Sequence, residues 1–318
     1  MDQELQGSFR RTIRYLRLSV TDLCDFRCVY CMAEEGVPKR AHGDILSIEE
    51  LAELGEAAVR CGVTKIRLTG GEPLVRRGVL TLCERLRALP ALRELTLTTN
   101  GARLSRMAGD LRAAGVDRLN VSLDTLRSER FRAITRRGEL RDVLNGIDAA
   151  RAAGFPAPKL NTVLLGGVND DEIADFIALT KDDDVCVRFI ELMPMGACAA
   201  FPKERFLSAD AVLAAAPELE RTGEDGVAEL YRACGHRGTV GLIRPMSRCF
   251  CASCDRLRIT ADGFLKPCLH SERELPLRGL HGEALDAAIR AGAAEKPERH
   301  RLALGRSDTA RSMFEIGG

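Results

Sequence analysis

The first two thirds of the chain alternate between short strand-like runs and amphipathic helical segments. From about residue 14 to about residue 193, segments such as IEELAELGEAAVRCG and LSRMAGDLRAAG repeat apolar residues at helical spacing between β-rich runs. This alternation is typical of βαβ units, which build a parallel sheet covered by helices. Six such units predict an α/β fold, an incomplete (βα)6 barrel of the TIM type. The predicted strands are Arg14–Val20, Lys65–Thr69, Glu94–Thr98, Arg118–Leu123, Lys159–Leu165 and Val185–Leu192.

Beyond about residue 200 the alternation ends, and short strands, turns and clustered cysteines follow. We therefore expect two domains. Residues 1–200 form the partial barrel, and residues 201–318 form a smaller α+β domain against its open side. The terminal Gly317 and Gly318 end a charged tail that we expect to be flexible.

Composition limits the kinds of partner that the chain recruits. The 47 basic residues nearly balance the 46 acidic ones, so the net charge is +1 and no overall field attracts nucleic acid or a membrane surface. The chain has no run of about eighteen apolar residues and no export signal, so we expect a cytoplasmic protein. Twelve cysteines in a reducing compartment favour metal ligation or reactive thiols over disulfides.

Three cysteines follow the first predicted strand in the segment TDLCDFRCVYC. Cys24, Cys28 and Cys31 have C-x3-C-x2-C spacing, which allows one short loop to wrap three thiolates around one iron–sulfur cubane. No fourth cysteine is nearby, so one iron would stay open to chelate the amino and carboxylate groups of a substrate or cofactor. Buried core thiols or a zinc knuckle are the alternatives, although zinc normally takes four ligands from paired C-x2-C units.

Other candidate site residues follow the remaining strands. Gly70-Gly71-Glu72-Pro73 comes after the second strand, where glycine permits close backbone approach to a ligand or simply forms a turn. Barrel enzymes build their active sites from the carboxyl ends of strands. We therefore expect a single site at one rim, formed by the Cys24–Cys31 loop, Gly71, Thr98, Ser122, Lys159 and Arg188.

A second cysteine array lies in FCASCDRLRITADGFLKPCL. Cys251, Cys254 and Cys268 have C-x2-C-x13-C spacing, and we interpret them as ligands of a second cluster with an open iron. The alternative is that Cys249 completes a four-cysteine zinc or cluster site. If RLRIT is a strand, its two arginines, at 256 and 258, face the same side of the sheet. We expect this pair to bind a polyphosphate, and the alternative is that it forms a basic surface exposed to solvent.

The order of these motifs resembles one family along nearly the whole chain. It is the GTP 3′,8-cyclase family of molybdenum cofactor biosynthesis, also called molybdenum cofactor biosynthesis protein A, within the radical S-adenosylmethionine (SAM) superfamily. The first array is shared by many radical SAM enzymes. The combination of the second array, its adjacent R-x-R and a terminal Gly-Gly is far more specific to one family. The resembling segments are LRLSVTDLCDFRCVYC, IRLTGGEPLVR, TTNG, LNVSLDTL, KLNTVLL, GVND, VRFIELM, FCASCDRLRITADGFLKPCL and IGG.

The resemblance implies a role for each matching residue. It assigns two [4Fe-4S] clusters, with the ligands Cys24, Cys28 and Cys31 for one and Cys251, Cys254 and Cys268 for the other. It implies that SAM contacts Tyr30, Gly71, Ser122 and Met193. It implies that GTP contacts Arg17, Arg67, Thr98, Lys159, Arg188, Arg256, Leu257 and Arg258. Arg17, Arg256 and Arg258 would also be catalytic, and the tail that ends in Gly317 and Gly318 would enter the active site.

The activity that the resemblance implies is that of a lyase. SAM would be cleaved reductively to methionine and a 5′-deoxyadenosyl radical, which removes the hydrogen at C3′ of GTP. The C3′ radical would then attack C8, and the resulting aminyl radical would be reduced and protonated. The product is (8S)-3′,8-cyclo-7,8-dihydroguanosine 5′-triphosphate, in the first step of molybdenum cofactor biosynthesis. Implied partners are GTP, SAM, an external flavodoxin- or ferredoxin-like electron donor and cyclic pyranopterin monophosphate synthase as the next enzyme. A homodimer is compatible with the resemblance, whereas nucleic acid and membranes are not expected.

Some features depart from the family pattern. Asp255 stands where asparagine is usual, and the GACAAF segment and the short Ala-rich tail are atypical, which leaves the effect on GTP affinity open. Cys198, Cys234 and Cys249 have no assigned role. One rival hypothesis is a radical SAM enzyme with a C-terminal auxiliary cluster that modifies a peptide or another small substrate. The other is a non-catalytic electron carrier or a zinc-stabilised binding module.

Overall fold

A computed structural model describes residues 4–37, 41–302 and 307–317 of the chain. Within these residues, twelve strands form one sheet. They are β1 (Tyr15–Ser19), β2 (Lys65–Thr69), β3 (Glu94–Thr99), β4 (Arg118–Ser122), β5 (Lys159–Leu164), β6 (Cys186–Glu191), β7 (Glu220–Asp225), β8 (Ala228–Arg232), β9 (Thr239–Ile243), β10 (Arg256–Ile259), β11 (Phe264–Lys266) and β12 (Leu275–Pro276). The six strands predicted from the sequence, β1 to β6, are confirmed, each within one residue at either end.

The central strands of the sheet are all parallel. β10, β1, β2, β3, β4, β5, β6 and β9 lie side by side in this order. β11 and β12 extend one edge and β8 and β7 the other, both in antiparallel pairing. The predicted α/β fold with an incomplete barrel is confirmed. Strands from beyond residue 200 flank β1 to β6 on both sides, and the domain boundary at residue 200 stays a prediction.

Helices join and follow these strands. They are α1 (Ile48–Arg60), α2 (Val79–Arg87), α3 (Leu104–Ala113), α4 (Ser128–Thr135), α5 (Leu140–Ala152), α6 (Ile173–Ala178), α7 (Asp210–Ala215), α8 (Gly282–Ala294) and α9 (Met313–Ile316). The start of α1 is a capping box, because Ser47 Oγ accepts from the Glu50 amide at 3.1 Å and the Glu50 carboxylate accepts from the Ser47 amide at 2.6 Å. Among the described residues, no helix has the length and apolar content needed to cross a membrane.

Neighbouring residues on each barrel strand point to opposite faces, which separates an apolar core from a polar interior. On β1, Leu16 is only 1 % exposed and belongs to the core, whereas Arg17 lines the interior. On β10, Leu257 belongs to the core, and Arg256 and Arg258 line the interior. Burial of each leucine stabilises the fold by about 1.5–3 kcal/mol. The apolar positions therefore fix the register that turns the intervening arginines inward.

Candidate active site

The barrel interior contains a cavity of about 490 Å³ that reaches both cysteine arrays. This volume is within the usual range for small-molecule sites. All the residues that the sequence assigns to the clusters, SAM and GTP line this cavity except Leu257, whose side chain lies on the opposite face in the core. The lining set is Arg17, Cys24, Cys28, Tyr30, Cys31, Arg67, Gly71, Thr98, Ser122, Lys159, Arg188, Met193, Cys251, Cys254, Arg256, Arg258 and Cys268. Their individual roles stay predictions.

The first cysteine loop follows β1 and is held by backbone hydrogen bonds. The Cys31 amide donates to the Cys28 carbonyl at 2.9 Å, which forms a tight turn between the last two cysteines. The amides of Arg27 and Val29 each donate at 2.9 Å to carbonyls in the last turn of α4. Cys24, Cys28 and Cys31 are free thiols on one side of the cavity. The loop is therefore anchored independently of any bound group.

The electrostatics of these thiols fit ligation of iron. Burial raises the pKa of Cys24 and of Cys31 to about 12, and it raises the pKa of Cys28 well above its ordinary value. Thiols of the array add to the pKa shifts of Cys24 and Cys28, because each thiolate repels the next, and Cys198 acts in the same way on Cys31. Three thiolates this close need a cationic partner to exist at neutral pH. A cuboidal iron–sulfur cluster supplies that charge and takes three cysteines from such a loop.

The Gly70–Gly71 turn after β2 packs directly on the start of the cysteine loop. The Gly71 amide donates to the Thr21 carbonyl at 2.8 Å, and a Cβ at Gly71 would lie 2.4 Å from the Leu23 carbonyl oxygen. Gly70 has φ +145°, and a Cβ there would lie 2.3 Å from the Thr21 oxygen. Both positions therefore require glycine to let the two backbones approach. This steric requirement exists whether or not the turn also contacts SAM.

Glu72 joins the ends of β2 and β3 beneath the cysteine loop. Its buried carboxylate accepts from Thr99 Oγ1 at 2.8 Å, from the Asn100 amide at 2.6 Å and from the Leu74 amide at 2.9 Å. Burial outweighs these hydrogen bonds and raises the pKa of Glu72 to about 7. Sequence reasoning assigned Glu72 no role, although its place directly after Gly-Gly was a signal.

Tyr30 is fixed by a carboxylate from the end of β4. Its hydroxyl donates to Asp124 at 2.6 Å, and the Val163 amide donates to the same side chain at 2.8 Å. Burial raises the pKa of Asp124 to about 6 despite these bonds. Ser122 lies two residues before Asp124, and both line the cavity. The VSLD segment therefore supplies a positioning carboxylate as well as the predicted serine.

The second cysteine array is tied to distant parts of the chain by Arg11. Cys251 begins a short 3-10 helix, and the Cys254 amide donates to its carbonyl at 3.2 Å. The buried guanidinium of Arg11 donates to the same Cys251 carbonyl at 2.9 Å and to the Pro297 carbonyl at 2.7 Å. Arg11 therefore holds the segment around residue 297 against the array.

A second cation, Lys296, sets the charge at this array. Its ammonium donates to the carbonyls of Arg256 and Pro267 at 2.7 and 2.9 Å. Burial raises the pKa of Cys251 to about 12. Burial also acts to raise the pKa of Cys254, but Lys296 and Arg256 outweigh it and the pKa is lowered. Thiols flanked by buried cations fit an anionic iron–sulfur cluster.

The rest of the cavity wall is strongly basic. Arg17 pairs in register with Arg67 on β2 and with Arg258 on β10, so three guanidiniums lie at one level of adjacent strands. The lining also contains Lys65, Lys159, Arg188, Arg256 and Lys296. Burial and then repulsion from Arg258 lower the pKa of Arg17 well below its ordinary value. Burial and then repulsion from Arg256 lower the pKa of Arg258 to about 10. A bound anion would relieve this repulsion.

Tyr15 lies at the centre of several of these cations and was missed by sequence reasoning. Its ring lies 5.5 Å from the Arg67 guanidinium, 5.4 Å from that of Arg256 and 5.2 Å from the Lys65 ammonium. Burial acts to raise the pKa of Tyr15, but these cations together with Arg17 lower it to about 8. The available signal was the strand period, because Tyr15 shares the inward face of β1 with Arg17.

Polar atoms without partners also face the cavity. Thr98 Oγ1, Asn120 Oδ1 and Asn161 Oδ1 are buried, and within the part of the chain that the structure describes they make no hydrogen bond. Thr98 pairs in register with Asn120 on the next strand. Buried polar atoms normally find partners, so these three atoms indicate a polar ligand. Sequence reasoning predicted Thr98 and missed the two asparagines.

Asp225, the last residue of β7, is paired with two of the cavity cations. It accepts hydrogen bonds from Lys159 Nζ and Arg188 Nη2. Burial acts to raise its pKa, but Arg188 and Lys159 outweigh it and lower the pKa to about 2. Its side chain is 41 % exposed, so it lies at the mouth of the cavity. A carboxylate therefore occupies the position where these cations would meet an incoming anion.

The C-terminal helix α9 closes another part of the wall. Met313 and Phe314 line the cavity, and Arg258 Nη1 donates to the Gly317 carbonyl at 2.7 Å. A Cβ at Gly317, which has φ +82°, would lie 2.6 Å from a Thr69 methyl group. Gly317 therefore lies inside the barrel, while the predicted position of Gly318 lies outside the described residues.

Comparison with known proteins identifies two family models along the chain and relatives that match its whole length. Residues 18–180 match the family model of the radical SAM superfamily, and residues 185–302 match Molybdenum Cofactor Synthesis C. The chain is 49 % identical over 320 residues to the GTP 3′,8-cyclase of Peptoclostridium acidaminophilum, covering 99 % of this chain and 98 % of that protein. It is 48 % identical over 325 residues to the GTP 3′,8-cyclase of Geobacter sulfurreducens, covering 99 % and 100 %.

Among solved structures, Streptococcus suis SuiB has a similar fold. Its TM-score is 0.61 at 13 % identity, and the match covers 87 % of this chain and 67 % of that chain. At this identity the likeness concerns the fold alone. The two family models and the full-length relatives confirm the resemblance of the motifs. The chain therefore belongs to the GTP 3′,8-cyclase family of the radical SAM superfamily.

Proposed function

We propose that this chain is a lyase that cyclises GTP to (8S)-3′,8-cyclo-7,8-dihydroguanosine 5′-triphosphate, the first step of molybdenum cofactor biosynthesis. In the same reaction SAM is cleaved to methionine and 5′-deoxyadenosine. The observation that carries the proposal is that two three-cysteine arrays and a basic barrel interior share one cavity. A peptide-modifying enzyme has no general need for that concentrated charge, and the full-length relatives favour cyclisation.

The two cysteine arrays are the proposed sites of two [4Fe-4S] clusters. Cys24, Cys28 and Cys31 would hold the cluster that supplies the single electron for SAM cleavage, and Cys251, Cys254 and Cys268 would hold the cluster whose open iron would bind the guanine base. Around the first array, the chain would orient SAM through Tyr30, Gly71, Ser122 and Met193, which all line the cavity. Asp124 would hold the Tyr30 ring in place through its 2.6 Å hydrogen bond.

The triphosphate is the proposed partner of the arginines at one level of the barrel. Arg17, Arg67 and Arg258 are brought together by strand register alone, and their mutual repulsion is unfavourable until an anion binds. Guanidinium groups bind phosphate oxygens bidentately, so three of them fix both position and orientation. Lys159, Arg188 and Arg256 would complete the grip, which suits a ligand with about four negative charges.

The ribose is the proposed partner of the unsatisfied polar atoms. Thr98, Asn120 and Asn161 lie on consecutive strands and offer one hydroxyl group and two amide oxygens that make no hydrogen bond within the described residues. Sugar hydroxyls that donate to the two amide oxygens and pair with the Thr98 hydroxyl would hold C3′ at a fixed place in the cavity. Such positioning is the main contribution that a protein makes to a radical reaction of this kind.

The experiment that tests the proposal is an anaerobic incubation of reconstituted protein with SAM, GTP and dithionite. We expect 5′-deoxyadenosine and the cyclised nucleotide to appear together by mass spectrometry. The double variant Arg256→Ala, Arg258→Ala should lose the nucleotide product. An Arg141→Ala variant is the matched control, because Arg141 is exposed on α5 and far from this chemistry in sequence. SAM cleavage without consumption of GTP by the wild type would overturn the substrate assignment.

Four further partner and location assignments belong to the same proposal. They are an external flavodoxin- or ferredoxin-like electron donor, cyclic pyranopterin monophosphate synthase as the next enzyme, a homodimer, and the cytoplasm as the compartment. Family membership supports the first two, since the reaction consumes an electron and its product needs further conversion. The twelve cysteines are free thiols, which fits a reducing compartment.

A further inference from the structure

Three metal-binding side chains meet beside the second cysteine array in a combination that the proposed cluster does not use. The ligand atoms of Cys249, Cys251 and His300 all lie within 4.8 Å of one another. Cys249 is exposed, Cys251 is buried and His300 is partly buried, so the group reaches from the surface to the cavity. Only Cys251 belongs to the predicted cluster ligands.

The spacing of these atoms suits one ion. Zinc binds thiolate sulfur at about 2.3 Å and imidazole nitrogen at about 2.0–2.1 Å, so tetrahedral ligands lie roughly 3.5–3.8 Å apart. Small movements of exposed Cys249 bring the present group to that geometry. Cysteines that ligate different irons of a cubane are held farther apart, because the cluster lies between them. A mixed cysteine and histidine set is also the ligand combination that zinc prefers.

His300 offers a nitrogen that has no other use in the described part of the chain. Its Nε2 is buried and makes no hydrogen bond, whereas Nδ1 meets the Leu302 amide at 3.3 Å. When Nε2 binds a metal ion, the ring proton lies on Nδ1, which then no longer accepts a hydrogen bond from the Leu302 amide. That long contact is the only one lost. A buried nitrogen without a partner indicates that a ligand or ion is expected there.

The meeting of Cys251 and His300 is fixed by the fold. The Arg11 guanidinium donates to the Cys251 carbonyl and, at 3.1 Å and 2.7 Å, to the carbonyls of Lys296 and Pro297. The His300 amide also faces the Cys251 thiol. These contacts are buried or partly buried and join segments about 45 residues apart in sequence, so the pair is built into the fold.

We propose that Cys249, Cys251 and His300 form a mononuclear zinc site in the cluster-free chain, and that zinc bound there competes with the second cluster for Cys251. Three protein ligands leave a fourth position for water. Zinc would keep Cys251 from iron until another ligand or a chelator removes it. The first array, with its own three cysteines, would be unaffected. This proposal stands on the side chains themselves and holds whatever the substrate is.

The first test isolates the second array in the full-length chain. Cys24, Cys28 and Cys31 are replaced by serine, so that metal binds only near Cys251. The chain is then titrated with Co²⁺ as a spectroscopic probe, in competition with Zn²⁺. The intensity of the thiolate-to-cobalt charge-transfer band reports the number of bound thiolates, which should be two, from Cys249 and Cys251.

Single variants in this background decide which residues bind. Cys249→Ser and His300→Ala should each weaken zinc binding by more than the roughly 10- to 100-fold that loss of an outer-shell partner costs. Cys254→Ser should leave it unchanged, as should Cys234→Ser, which removes an exposed cysteine outside both arrays. Cys249 is exposed, so its serine variant tests the site without disturbing the core. Equal loss with Cys254→Ser, or no loss with Cys249→Ser, would overturn the proposal.

The second test measures competition in the chain with all its native cysteines. One equivalent of zinc is added before iron and sulfide, and iron is counted after anaerobic reconstitution. The wild type should end about four irons short, the content of one [4Fe-4S] cluster, while Cys249→Ser should load fully. If zinc leaves the iron content of the wild type unchanged, the competition does not exist.

Discussion

Arg17 and Arg258 occupy directly paired positions on the neighbouring parallel strands β1 and β10. The two residues are 241 positions apart in sequence, and both side chains are buried in the barrel interior. Their repulsion is among the main causes that lower the pKa of Arg17. When no anion is bound, repulsion between two buried guanidiniums that lie side by side lowers the stability of the fold. This pairing therefore links stability to ligand binding.

Replacement of Arg258 by methionine should therefore separate stability from function. Without GTP, the variant's free energy of unfolding should change by less than about 1 kcal/mol, because removing a buried charge that faces Arg17 offsets loss of the hydrogen bond to the Gly317 carbonyl. The KM for GTP should rise by about 10- to 100-fold, as expected for loss of a charged hydrogen bond worth 1.5–3 kcal/mol. Urea unfolding and steady-state kinetics measure the two effects. A variant that is strongly destabilised and unchanged in KM would contradict the account.

Asp225 should compete with the triphosphate for Lys159 and Arg188. The variant Asp225→Asn removes the charge that pairs with these two cations, so GTP should bind about two- to fivefold more tightly, a small effect because Asp225 is partly exposed. Isothermal titration calorimetry with GTP measures the change. Glu224→Gln is the matched control, because Glu224 pairs with exposed Arg221 at 2.6 Å and not with a cavity cation. Weaker binding by Asp225→Asn would show that the carboxylate instead orders the cations.

Glu72 should make stability depend on pH. Its pKa rises from 4.5 in the unfolded chain to about 7 in the folded one, because burial disfavours the carboxylate. Between pH 4.5 and pH 7, the folded chain therefore binds more protons at Glu72 than the unfolded chain does. The contribution of Glu72 to the free energy of unfolding is greatest below pH 4.5 and is lost as the pH rises through 7. Relative to Glu72→Gln, the wild type should lose on the order of 3 kcal/mol across this window.

The measurement for Glu72 is urea unfolding of both chains from pH 5 to pH 8 under anaerobic, reducing conditions. The difference between them isolates Glu72, since other titrating groups are common to both. A difference that is constant with pH would show that Glu72 stays ionised throughout.

Two glycine replacements test the contact that supports the first array. Gly71→Ala would place a Cβ 2.4 Å from the Leu23 carbonyl, so the cysteine loop must shift, and iron content after reconstitution should fall by about half, the share of one of two clusters. Gly109→Ala in α3 meets nothing within 4 Å and should stabilise the chain by up to about 1 kcal/mol. Iron analysis and thermal unfolding measure both. Full iron loading of Gly71→Ala would contradict the packing argument.

Strand positions and the two cysteine arrays were predictable because their signals are local. The alternation of Leu16, Arg17 and Leu18 on β1 indicates directly that the strand has an apolar face and a polar face. The cysteine spacing indicates metal ligation without any knowledge of the fold. The same period explains Leu257, which lies between two inward arginines and therefore points into the core.

The remaining site residues act through contacts between distant segments, which a local pattern cannot encode. Asp225 lies in a hairpin that looks like an ordinary acidic turn, and only the sheet order brings it to Lys159 and Arg188. In the sequence, Lys296 is one of several charged residues in the tail, and nothing local distinguishes it. In the structure, its ammonium donates a hydrogen bond to the Arg256 carbonyl. His300 likewise gains meaning only beside Cys251.

The central claim is that one cavity brings the SAM site and C3′ of GTP together. The most direct test is anaerobic turnover with GTP deuterated at C3′, followed by mass spectrometry of the 5′-deoxyadenosine formed. The account predicts that 5′-deoxyadenosine carries the deuterium and that it forms together with cyclised nucleotide. Unlabelled 5′-deoxyadenosine formed alongside intact GTP would show that the cavity does not present C3′ to the SAM site, and would contradict the account.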